Sequence, residues 1–137
     1  MRFLSVYRAA ESDVPPSTEL LADMGKLIGE MAEAGVLIAT EGCLPTSKGL
    51  RIRINDGEFT VTDGPFTEAK EVIGGFALMQ VESREEAIEW GKRFLAVVRE
   101  GESEIRQIAE ASDFGPEFTP ELRQEEELIR SQLSPKR

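Results

Sequence analysis

Asp63 stands at the most constrained point of the chain, in Thr62-Asp63-Gly64-Pro65-Phe66-Thr67-Glu68-Ala69-Lys70, with Gly74-Gly75-Phe76 shortly after. A carboxylate held between two strand-like runs can act as a general acid or base in a proton transfer such as an isomerisation or elimination. The same carboxylate can instead accept turn N–H groups, the ordinary use of aspartate before glycine. The turn itself should be rigid. Gly64 tolerates positive φ and is pushed out of the helical region by the proline after it, while Pro65 fixes its own φ and has no N–H. Lys70 is close enough in sequence to neutralise Asp63 across the turn. Glu41 is the second acid of interest, because it falls within an otherwise apolar run over residues 36–44. A carboxylate buried there needs either an arginine partner or a pocket that raises its pKa.

Composition removes many alternatives. The chain contains no histidine and a single cysteine. A Ser-His-Asp or Cys-His arrangement, a His-ligated metal and an imidazole proton shuttle are therefore excluded for this chain on its own, as are an intrachain disulfide and a zinc site built from Cys and His. No cofactor is expected. Cys43, in Ala39-Thr40-Glu41-Gly42-Cys43-Leu44, has no cationic sequence neighbour to lower its pKa and reads as a packed or incidental thiol. With 26 acidic against 16 basic residues, the formal net charge is −10, which argues against a nucleic-acid or membrane-surface partner. Residues 1–8 form too short an apolar run for a signal peptide, and no stretch approaches the ~20 residues of a membrane span, so a cytoplasmic protein is expected.

The elements that would position these groups follow from periodicity. Residues 2–8 read as a strand that is apolar on both faces. Leu20, Leu21, Met24, Leu27, Ile28 and Met31 recur at helical spacing over residues 18–34, with Ser17 or Thr18 as N-cap and Gly35 as a left-handed C-terminal cap. Residues 36–44 form a second strand, ended by Pro45. Leu50, Ile52 and Ile54 alternate with Arg51, Arg53 and Asn55, and Asp56-Gly57 turns the chain back through residues 59–62 as a hairpin. Residues 72–81 give a fifth strand, in which Gly74-Gly75 marks a bulge or a close packing approach. Ser83-Arg84-Glu85-Glu86 is a capping box opening a second helix that buries Ala87, Ile88, Trp90, Gly91, Phe94, Leu95 and Val98, and residues 104–108 return as a last strand.

This order resembles a ferredoxin-like α+β sandwich with an inserted hairpin. Two helices cover one sheet face, and strands apolar on both faces call for a second cover, most simply a second copy of the chain. Residues 1–112 are expected to form this domain and residues 113–137 a tail. In the tail, Thr119-Pro120 starts a helix with a weak apolar stripe of Leu122, Leu128, Ile129 and Leu133. It is expected to dock on its own domain or a dimer partner, or to bind another protein.

The motif Asp63-Gly64-Pro65-Phe66 resembles the signature of the DGPF group of YCII-related domain proteins. Ala34-Gly35-Val36, Glu41-Gly42-Cys43-Leu44-Pro45, Lys70-Glu71 and Gly74-Gly75-Phe76 extend the resemblance from Met1 to about Ile108. It implies a homodimer of the dimeric α+β barrel type and a setting beside extracytoplasmic-function sigma factors, in a group with no generally established activity. Better-studied relatives resemble a lyase or isomerase scaffold and place a His with an Asp in the pocket. Here the His is missing and only Asp63 matches. A ligand site is expected between helices and sheet or within the dimer barrel, with Tyr7, Glu41, Arg51, Arg53, Asp63, Thr67 and Lys70 as its polar lining. Arg51 and Arg53 read first as an exposed strand face or a dimer ion pair, and second as an anion contact. Two functions fit: a small-ligand-binding or regulatory accessory protein, or a His-independent acid–base enzyme using Asp63.

Overall fold

Six strands and three helices organise the chain in the computed structural model, which describes residues 1–133. Strands β1 (Arg2–Ala9), β2 (Leu37–Gly42), β5 (Val72–Gln80) and β6 (Glu102–Gln107) form one antiparallel sheet in the order β2-β5-β1-β6. The inserted strands β3 (Leu50–Asn55) and β4 (Glu58–Asp63) pair only with each other. Helix α1 (Thr18–Glu33) joins β1 to β2, and helix α2 (Arg84–Val98) joins β5 to β6. The architecture is mixed α+β and compatible with a ferredoxin-like sandwich. Residues 1–107 and 108–133 belong to separate compact units.

Local chemistry sets the ends of these elements. Ser17 accepts a hydrogen bond from Leu20 N–H, and Ser83 accepts one from Glu86 N–H, each satisfying an orphan amide of a first turn. The carboxylate of Glu86 reaches back to the N–H of Glu82 rather than to that of Ser83. Gly35 follows α1 in the left-handed region at φ +73°, and the hairpin turns on Asp56 and Gly57 at φ +51° and +80°. Within the β1–β5 ladder, pairing slips between Tyr7 and Arg8, which leaves Gly74 as the extra residue of a bulge.

Alternation along the strands sorts side chains to two faces. Phe3 and Met79 face α1 and α2 and join Leu27, Met31, Val36, Val81 and Ala87 in the buried core. Trp90, Phe94 and Ile105 pack against that cluster. The two helices are also tied at their surface by Arg93, which donates to the carboxylate of Glu30 and holds it below the usual carboxylate range. On the other sheet face, the opposed pairs Leu4–Leu78 and Val6–Phe76 make an apolar centre. Beside it runs a charged flank, in which Glu104 meets Arg8 at 3.3 Å and Arg106 at 3.5 Å.

In the hairpin, Leu50, Ile52, Ile54, Phe59 and Val61 share one face, because Ile52 opposes Val61 and Ile54 opposes Phe59. All five are exposed. Within the second unit, Thr119 caps α3 (Pro120–Ser131) by accepting from Leu122 N–H, with proline at the first helical position. Arg123 donates to the carbonyls of Phe118 and Ala111, while Phe114 and Phe118 meet edge to face at 5.5 Å. The apolar residues Leu122, Leu128, Ile129 and Leu133 of this unit are exposed.

Candidate functional site

The Asp63 turn is rigid for a reason that lies far from it in sequence. Glu11, in the β1–α1 loop, accepts from both the N–H and the hydroxyl of Thr46, each at 2.8 Å. The Thr46 hydroxyl in turn accepts from Phe66 N–H at 3.1 Å. Gly64 N–H donates to Gly49 C=O at 2.9 Å, and a Cβ at Gly64 would lie 1.7 Å from the Thr46 carbonyl oxygen. Glycine is therefore required by close approach of backbone to backbone. The Gly64–Pro65 peptide is cis.

Arg51 completes the turn: its guanidinium lies 3.8 Å from the Phe66 ring centroid and 3.1 Å from Glu68. It thus combines a cation–π contact with an exposed ion pair. Asp63 itself is exposed, and its carboxylate accepts none of the turn's N–H groups among the described residues. Thr67 and Lys70 are exposed in the same segment, and no ion pair joins Lys70 to Asp63 there. Arg53, paired across the hairpin with Thr60, is also exposed.

A different group of residues encloses space. Between α1, α2 and the sheet lies a cavity of about 400 Å³, within the usual size of small-molecule sites. Small residues make its floor: Ser5 on β1, Gly75 and Ala77 on β5, and Thr40 on β2. Larger apolar side chains form the opposite wall, with Leu20, Met24 and Ile28 from α1 and Trp90 and Phe94 from α2. Gly91 lets α2 sit close to β6, since a Cβ there would be 3.0 Å from Ile105 Cδ1.

Tyr7 lines this cavity within a tight frame. A Cβ would be 3.1 Å from its Cδ2 if added at Gly74, and 2.7 Å from its Cε1 if added at Gly101. Its ring meets Phe94 edge on at 5.0 Å, and its hydroxyl donates to Glu100 C=O at 2.9 Å. Partial burial, followed by the charges of Glu100 and Glu71, raises the phenol pKa, so Tyr7 stays neutral. Across the ladder from Tyr7, Ser103 Oγ is buried without a hydrogen-bond partner among the described residues.

Of the seven expected lining residues, the structure brings Tyr7 and Glu41 to this cavity; Arg51, Arg53, Asp63, Thr67 and Lys70 do not line it. One expectation needs correction. Glu41 lies on β2, the edge strand, and is exposed, so the burial cost inferred from its apolar neighbours does not arise. Of the two readings of Cys43, packed or incidental, its exposure fits the second.

Glu11, Thr46, Thr40 and Gly101 were not singled out for these roles by sequence, whereas Gly74 was expected at a bulge or close approach. Thr40 lay in an expected strand, and its hydroxyl donates to Phe76 C=O at 2.8 Å. Among the described residues, no group of three or more Cys, Asp or Glu is placed to hold a metal, and no helix is long and apolar enough to cross a membrane.

Residues 1–112 match the model of a family described as YCII-related domain. An uncharacterised protein of Rhizobium meliloti (strain 1021) is 32% identical over 91 residues, a stretch covering 66% of this chain and 73% of that protein.

Proposed function

The chain belongs to the YCII-related domain family, and from that premise we propose that it is a small-ligand-binding accessory protein, working as a homodimer, with the cavity beneath α1 and α2 as its binding site. Support comes first from the cavity itself. Its about 400 Å³ is walled by apolar side chains in a domain whose buried hydrophobic core is seven residues. Leaving apolar surface in water forfeits about 25 cal/mol per Å², which an apolar ligand would recover. Binding rather than turnover is favoured because the titratable side chain framed in the wall, Tyr7, is kept neutral and its proton is already donated to Glu100 C=O.

The dimer rests on the apolar centre of the other sheet face, Leu4, Val6, Phe76 and Leu78, which a second copy would cover sheet to sheet. The enzymatic reading retains one specific observation, the unengaged carboxylate of Asp63 on a rigid turn.

Thermal unfolding against a panel of small apolar, phenolic, carboxylic and phosphorylated compounds tests the binding site. A ligand at 100 times its Kd adds about 2.7 kcal/mol, a shift of several degrees. Ala77→Leu, which projects into the cavity floor, should remove the shift, and Asp63→Asn should keep it. The reverse pattern would move the site to Asp63.

A further inference from the structure

We propose that the cavity selects uncharged, largely apolar molecules that donate a hydrogen bond, such as phenols, aromatic alcohols and indole-type N–H compounds, and rejects carboxylates and phosphates. This rests on the cavity being the binding site. The reasoning starts from where the hydroxyl protons go. Tyr7 donates to Glu100 C=O and Thr40 donates to Phe76 C=O, and a carbonyl can only accept, so both hydroxyl protons are committed within the protein. A hydroxyl that has donated still has acceptor lone pairs. What Tyr7 and Thr40 present to a ligand is therefore an acceptor, and the ligand group that matches these two is a donor, while Ser5 on the floor makes no side-chain hydrogen bond among the described residues.

Charge points the same way. None of the described residues lining the cavity is Lys or Arg. Three of the arginines outside the lining are engaged elsewhere: Arg8 with Glu104, Arg51 with Glu68, and Arg93 with Glu30. The charges acting on Tyr7 are those of Glu100 and Glu71. An anionic ligand would lose its hydration, find no counter-ion and meet acidic neighbours. An ammonium would be drawn by these acids but would still have to leave water for an apolar wall.

Isothermal titration of the full-length protein with four matched probes tests this: 2-naphthylmethanol, its methyl ether, 2-naphthylmethylamine and 2-naphthoate. The alcohol should bind about tenfold tighter than the ether, the effect of one hydrogen bond. The naphthoate should bind more than ~100-fold more weakly than the alcohol. In Thr40→Val the preference of alcohol over ether should shrink, with the ether's affinity kept. Tyr7→Phe provides the same reading if Thr40→Val does not fold. Naphthoate binding as tightly as the alcohol, or an ether equal to the alcohol in wild type, would overturn the selectivity while leaving the site in place. No heat from any of the four at millimolar concentration would remove the site itself.

Discussion

Gly64 and Asp63 are neighbours with opposite tolerances. A side chain at Gly64 would be driven into the Thr46 carbonyl, so Gly64→Ala should destabilise the protein by several kcal/mol or displace the whole turn, as chemical denaturation would show. Asp63 accepts no hydrogen bond from its turn, and Asp63→Asn should leave stability within about 0.5 kcal/mol of wild type. A much larger loss would mean that the charge helps to hold the turn. Tyr7 is the chain's single tyrosine, so its ionisation can be followed alone by ultraviolet absorbance. The midpoint should lie above the ordinary value of about 10, because burial and then the charges of Glu100 and Glu71 oppose the phenolate. The unfolded chain loses this proton first. The contribution of Tyr7 is therefore present below the unfolded pKa and is lost as pH rises through the folded one. Denaturation midpoints measured across that alkaline window should fall with pH more steeply in wild type than in Tyr7→Phe.

Elements were far more legible in the sequence than the contacts between them. Ser17, Gly35, Asp56-Gly57, Ser83 and Thr119-Pro120 each announce a boundary through local backbone chemistry, and the helices and the hairpin start or turn there. Gly74-Gly75 announced a bulge, which the slip beside Tyr7 shows. Glu11 and Thr46 could not be joined by any local rule, since 35 residues separate them and their bond depends on how two loops meet. Glu41 misled for a related reason: an apolar neighbourhood in sequence does not reveal that a strand will lie at a sheet edge. A cavity lies between helices and sheet, one of the two places the sequence offered for a ligand site. Its helical wall falls in the apolar stripes read from the sequence, but its floor was missed because it is made by small residues that leave room, and absent volume has no pattern in a sequence. Met79, 1% exposed where β5 meets both helices, is the largest fully buried side chain. Met79→Ala should cost about 2–5 kcal/mol in urea unfolding.

At the scale of the whole molecule, the sandwich has two apolar layers on one sheet: the core beneath the helices and the centre formed by Leu4, Val6, Phe76 and Leu78. If the second layer is a dimer interface, Val6→Asp should give a monomer by light scattering, while wild type has twice that mass at micromolar concentration. A monomeric wild type would end the sheet-to-sheet proposal. The net charge of −10 adds repulsion between copies, so raising salt should favour association.

The wall of the cavity also contains the chain's one tryptophan, Trp90, with the Arg93 guanidinium 4.8 Å from its ring centroid. Its indole emission comes from a single known place, and that place is the surface a ligand would cover. Filling the cavity should change the colour and intensity of that emission, so the protein already contains an intrinsic optical sensor of its own occupancy, readable in unlabelled material.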